Sequence, residues 1–161
     1  MIEAPETRIR KAIQARLKDA GLAGGRVYNG FDRELGPDEM PALVLWSGDT
    51  RLEDPTGSTG RTTPSRIQRR VQELAISCVE ARTADDLDLS AAEDRAIELG
   101  TRVEEVLTTG APDLPEDIRL AEIQHIVLAD PKKADIVAIH RVLIFELTYQ
   151  SLAGKPRETH F

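Results

Sequence analysis

Cysteine is nearly absent from this chain: Cys78 is the only one in 161 residues. An intrachain disulfide is therefore excluded, and the fold must be held by its core. Nor does any apolar stretch approach the ~20 residues that a membrane-spanning helix needs. The first residues carry Glu3, Glu6, Arg8, Arg10 and Lys11 in place of the apolar segment of a secretory signal. The expected setting is a soluble protein made in the cytosol. Local signatures of common chemistry are missing too. Gly57-Ser58-Thr59-Gly60 lacks the Gly-Lys-Ser/Thr ending of a phosphate loop, the glycines from Gly24 to Gly30 fail dinucleotide-binding spacing, and no Gly-x-Ser-x-Gly elbow presents a serine nucleophile.

Charge narrows the partners. A net charge of -7 and a pI near 5.0 repel phosphate, which argues against nucleic-acid binding as the main task. The densest basic patch, Arg61, Arg66, Arg69 and Arg70, has no interleaved aromatics on which bases could stack. It reads as a solvated loop or a protein contact.

What is present is a single domain of alternating patterns. At this length a chain buries about 68 to 70% of its unfolded surface, enough for one core. Thr7 to Ala20 places Ile9, Ala12, Ile13 and Leu17 on one helical side, with Gly21, Gly24 and Gly25 ending the helix. A short strand around Arg26 to Tyr28 follows. Ala42 to Trp46 is a compact apolar run bounded by Pro41 and Gly48, which predicts a buried strand. In the stretch after Glu73, Leu74, Ile76 and Cys78 alternate with Ala75, Ser77 and Val79, so Ile67 to Ala81 is expected to pair antiparallel with it.

From Ser90 the period changes to helical, with Ala92, Ala96, Leu99, Val103, Val106 and Leu107 on one stripe. Ser90 with Glu93 predicts a capping box, and Gly110 a stop. Ile118 to Leu128 and Ile136 to Gln150 predict a hairpin. With Lys132 and Lys133 at its turn, Leu120 faces Phe145, Arg119 faces Glu146, Ile123 faces Val142, Ile126 faces Ile139, Val127 faces Ala138, and His125 faces His140. The fold class that results is α+β: a mainly antiparallel sheet with two helices packed on one face, as a single domain over residues 1–150. Residues 151–161 lack any period and are expected to form a flexible tail or an arm.

Two features suggest assembly. Ser47 to about Arg66 is rich in Gly, Pro, Ser, Thr and charge, too long for an ordinary connection, and is the expected reaching segment, a loop at about 48–66. Both faces of the last strand carry apolar residues, more than two helices can cover, so a second layer or a neighbouring subunit is expected. Interface candidates are Trp46, Arg51, Glu53, Asp54, Arg61, Arg66 and Arg69. Trp46, at the end of its strand, more often belongs to a core.

Candidate chemistry is weak. His125 opposite His140 could supply two zinc ligands, with a third from Cys78 or a carboxylate; two hydrogen-bonded histidines are the more ordinary reading. Asp85, Asp86 and Asp88 do not make a calcium loop, because the sixth and twelfth positions counted from Asp86 hold Ala91 and Ile97 where such a loop needs Gly and Glu. Cys78 behaves as a small core residue, not as a nucleophile. No catalytic residue, cofactor or metal is expected.

The order of elements carries a family likeness. An N-terminal helix, the Pro41 to Leu45 strand, a long loop, the Glu73-Leu74-Ala75-Ile76-Ser77-Cys78-Val79 strand, an acidic hinge, a helix ending near Leu107 and a hairpin finishing in Phe145-Glu146-Leu147-Thr148-Tyr149 resembles the tail terminators, minor tail proteins of long-tailed bacteriophages. The resemblance implies a virion protein at the head-proximal end of the tail, without catalysis or cofactor. It would form a homo-oligomeric ring, hexameric in that family, that stops polymerisation of the tail tube protein. The ring would present a surface to head-completion or connector proteins and let DNA pass through its lumen without specific binding. A related tail-completion or head-tail connector protein is the alternative reading, and a small metal-dependent enzyme using His125, His140 and a carboxylate is a more distant one.

Overall fold

The computed structural model describes residues 3–30, 35–53, 67–82, 89–129, 137–152 and 155–160. The first helix, α1 (Pro5–Asp19), starts with Pro5, whose fixed φ suits a first turn and whose missing N–H would have no helical partner there. Glu6 lies near its positive end, and Arg16 and Lys18 near its negative end. Ile9, Ile13 and Leu17, spaced by four, are buried along one stripe. A short 3-10 turn (Leu22–Gly25) leads into strand β1 (Val27–Asn29). Strands β2 (Ala42–Glu53) and β3 (Ile67–Ala81) follow, then helix α2 (Ser90–Thr108). The long hairpin strands β4 (Asp117–Ala129) and β5 (Val137–Leu152) come next, and a final strand, β6 (Lys155–His160), closes the chain.

The strands form one sheet in the order β1-β2-β3-β5-β4, with β6 beside the end of β5. Among the described strands only the β1–β2 pair is parallel. Both helices lie on one face. Ile9, Ile13 and Leu17 of α1 and Leu99, Val103 and Leu107 of α2 share a single core with Leu43, Leu45, Leu74, Ile76, Leu143, Phe145 and Leu147 of the sheet. Ala92 and Ala96 bring the start of α2 close to Ile139, and Gly100 leaves room where a side chain would press on Arg141 and Leu143. Each such fully buried aliphatic or aromatic side chain contributes about 1.5–3 kcal/mol relative to exposure. Arg16 ties the helices together, donating from Nε to the Val106 carbonyl (3.2 Å) and from Nη2 to the Gly110 carbonyl (3.0 Å). It thereby satisfies acceptors that the end of α2 leaves open.

Four expectations change. The apolar run at Ala42–Trp46 is only the first part of β2, which continues through polar residues to Glu53 with a bulge between Ser47 and Thr50. At the bulge Gly48 sits so close to Glu73 that a Cβ would lie 2.9 Å from its Oε2 and 3.0 Å from its Cβ. Leu89, already helical in φ and ψ, is the N-cap of α2, and the Glu93 N–H donates to the Leu89 carbonyl (2.9 Å), so Ser90 is the first helical residue and not the cap that the expected capping box requires. The segment after Ser151 is not a tail without order, since β6 pairs with β5 at Gln150, Ser151 and Leu152.

The hairpin register changes most. Arg119 opposite Glu146 and Leu120 opposite Phe145 are as expected, but an irregularity at Ala121 shifts the rest by one residue. Ile123 therefore faces Leu143, Ile126 faces His140, Val127 faces Ile139, and His125 faces Arg141. The turn itself, residues 130–136, lies outside the described residues.

Candidate functional site

Across the sheet from the helices, β2, β3, β5 and β4 bring together the exposed ends of several charged side chains. Rows of the sheet set this: Glu53 opposes Arg69, Glu73 opposes Glu146, Glu146 opposes Arg119, and Val71 stands between Arg51 and Thr148. Arg51 donates to Glu53 Oε1 and to Glu146 Oε1, each at 3.2 Å. Arg119 holds the other Glu146 oxygen. Arg69 approaches Glu53 (3.6 Å) and Asp117 (3.9 Å). These six residues, with Val71 and Thr148, line a cleft of about 130 Å³.

Three expected interface residues, Arg51, Glu53 and Arg69, are thus brought into one network, and Trp46 lies half-buried on the same face, level with Ala75. Asp54, Arg61 and Arg66 lie outside the described residues, as does most of the expected 48–66 loop and the Asp85, Asp86 and Asp88 cluster. Asp117, Arg119 and Glu146 are additions that the interface candidates do not include. The expected opposition of Arg119 and Glu146 is the sequence signal that points to two of them.

The Arg119 hydrogen bond, and then that of Arg51, hold the Glu146 carboxyl below the usual carboxylate range, while Glu146 and Glu53 push the Arg51 guanidinium further up. A carboxyl whose pKa is lower in the folded than in the unfolded chain stabilises above the ordinary carboxylate range, and that contribution is lost as pH falls through the folded value. Wild-type protein is therefore expected to lose more stability than Glu146→Gln between about pH 6 and about pH 3. Urea midpoints measured across that range check this, and parallel curves would refute it. The pairs are solvent-facing, so added salt should shrink the difference.

The register shift separates the two histidines. His125 is on the helix side, 3.7 Å from Glu93, whereas His140 is on the opposite face with Nδ1 3.1 Å from the Ser77 hydroxyl. Burial lowers the His140 pKa, which keeps its imidazole neutral at pH 7. The opposition of His125 and His140, on which both the zinc alternative and the reading of two hydrogen-bonded histidines rested, is therefore not formed, and among the described residues no three His, Cys, Asp or Glu side chains gather around a possible ion. Cys78 is fully buried between Leu43 and Arg141, and burial pushes its thiol up to about 12, so it is a core residue.

The second notable surface is β4. Among the described residues it is an edge strand, and Ile123 (45% exposed) and Val127 (44%) project on its helix side while Ile126 (41%) and Leu128 (51%) project on the other. Edge strands are usually protected by charge, proline or shortness. Here residues 122–129 contain no Lys, Arg or Pro, and their one carboxylate, Glu122, stands at the start of the run. Among the described helices none is long and apolar enough to cross a membrane. Neither the known protein families nor the curated proteins contain a match to this chain.

Proposed function

We propose that this protein is a structural subunit that assembles with copies of itself into a ring, and that the ring is a phage tail terminator. The observation that carries the reading is the β4 edge: among the described residues its outer backbone is unpaired and flanked by exposed aliphatic side chains on both faces, which supports a contact with another chain. A ring requires a heterologous contact, in which two different patches of the same subunit meet. The element order that resembles tail terminators supplies the setting: the head-proximal end of a tail tube in the virion, with tube protein on one side and a head-completion or connector protein on the other. The charged network of Arg51, Glu53, Arg69, Asp117, Arg119 and Glu146 gives the helix-free face a hydrated, near-neutral lining suited to passing DNA without holding it.

The test combines solution mass, negative-stain imaging and tube elongation in the presence of the purified protein. Rings on tube ends and arrested elongation are the expected result. A monomer at all concentrations with no effect on tubes would refute the reading, and binding to filled heads without arrest would favour a connector or completion protein. A protein that forms rings only on tube ends would still support it.

A further inference from the structure

Resting on the ring reading, we infer that the seam between neighbouring subunits is an antiparallel strand junction, in which the open β4 edge at residues 122–128 pairs with residues 47–53 of β2 on the next copy. The two edges of the sheet differ. Where β1 lies, the edge is short and guarded: Gln14 Nε2 donates to the Val27 carbonyl (2.9 Å), and Asn29 Nδ2 donates to Gln14 Oε1 (2.6 Å). But β1 covers only Leu43, Val44 and Leu45 of β2, so among the described residues the outer edge of β2 is open from Ser47 onward. Among the described residues one chain thus carries two edges with open backbone on opposite sides of its sheet.

Strand direction fits such a junction. β2 is antiparallel to β3, β3 to β5 and β5 to β4, so β4 runs opposite to β2, and a copy turned about a ring axis presents β2 to β4 in the antiparallel sense. Position fits as well. His125 shares a row with Arg141 and Cys78, whereas Thr50 shares one with Gln72. Placing Thr50 of the next copy beside His125 therefore offsets each subunit by the six residues from Gln72 to Cys78, about 20 Å of strand, across four strands spanning about 19 Å. The resulting strand tilt is about 45°, at the upper end of the usual range for closed barrels. With the right-handed β3-α2-β4 crossover such connections adopt, the offset climbs in the sense that strand twist requires when the helices are outside. The helix-free face then lines the lumen. In this register Ile123 meets Leu52, which is 58% exposed, and each covers the other on the helix side.

Cysteines placed at Ile123 and Leu52 together test the junction, since Cys78 is too buried to react. Under mild oxidation or with a short thiol crosslinker, Ile123→Cys/Leu52→Cys is expected to give a ladder ending at the ring size, while neither single variant crosslinks. Dimers from Ile123→Cys alone would indicate two-fold β4–β4 pairing and overturn the junction. Rings that form without crosslinks in the double variant would overturn it too, leaving the ring reading intact; no rings and no crosslinks with tube ends present would sink both. As a second measure, Ile123→Lys changes an exposed position that this register sets against Leu52, and should keep the wild-type circular dichroism while weakening association by roughly tenfold or more. Unchanged association would count against the junction.

Discussion

Phe145→Ala is expected to remove about 3–5 kcal/mol of stability, a large share of the roughly 5–15 kcal/mol that holds an ordinary domain. Phe145 is fully buried at the middle of β5. It stands between Leu74 and Leu120 in the sheet and belongs to the same core as both helices. Truncation would leave a void with walls on every side, and walls belonging to a sheet and two helices relax poorly. Chemical denaturation of the purified variant measures the loss. A change below about 1 kcal/mol would mean that the helices are not packed over β5 as described. The neighbouring Ile144 points to the helix-free face and is only half-buried, so Ile144→Ala should cost the subunit much less.

Gln72→Met is expected to stabilise the protein. Gln72 is fully buried on the helix side of β3, between Thr50 and Leu147, and among the described residues neither its amide nitrogen nor its amide oxygen has a hydrogen-bond partner. Leaving a buried polar group unsatisfied costs about 1–3 kcal/mol, whereas a methionine of similar length carries no such group. A gain of about 1 kcal/mol or more in denaturant or thermal unfolding is the expected result. Loss of stability instead would show that the amide is bonded in solution, for example through ordered water, and that the site is a polar one.

Much of this architecture could be read directly from residue periods. Ile9, Ile13 and Leu17 at helical spacing, the alternation through Leu74, Ile76 and Cys78, and the stripe from Ala92 to Leu107 each depend on local geometry and burial of one face, which a linear pattern records well. Features that depend on where one strand meets another were less legible. The polar continuation of β2 to Glu53 carries no apolar alternation, because its side chains are exposed or paired with charge across the sheet. The strand at Lys155–His160 is held by β5, not by a period of its own. At the candidate site, charge marked Arg51, Glu53 and Arg69, but their union with Asp117, Arg119 and Glu146 is a product of rows running across four strands. The exposure of Ile123, Ile126, Val127 and Leu128 was hidden for a similar reason, since a run of aliphatics in a strand reads first as core.

The irregularity at Ala121 divides β4 into two half-strands with opposite phase. Before it, even-numbered residues such as Ile118 and Leu120 face the helices; after it, odd-numbered ones such as Ile123 and Val127 do. The first half is anchored to the core, and the second is released from it. One extra residue thus gives a single strand two characters, packed against the core at one end and carrying exposed aliphatic side chains on both faces at the other, with no loop or hinge between them.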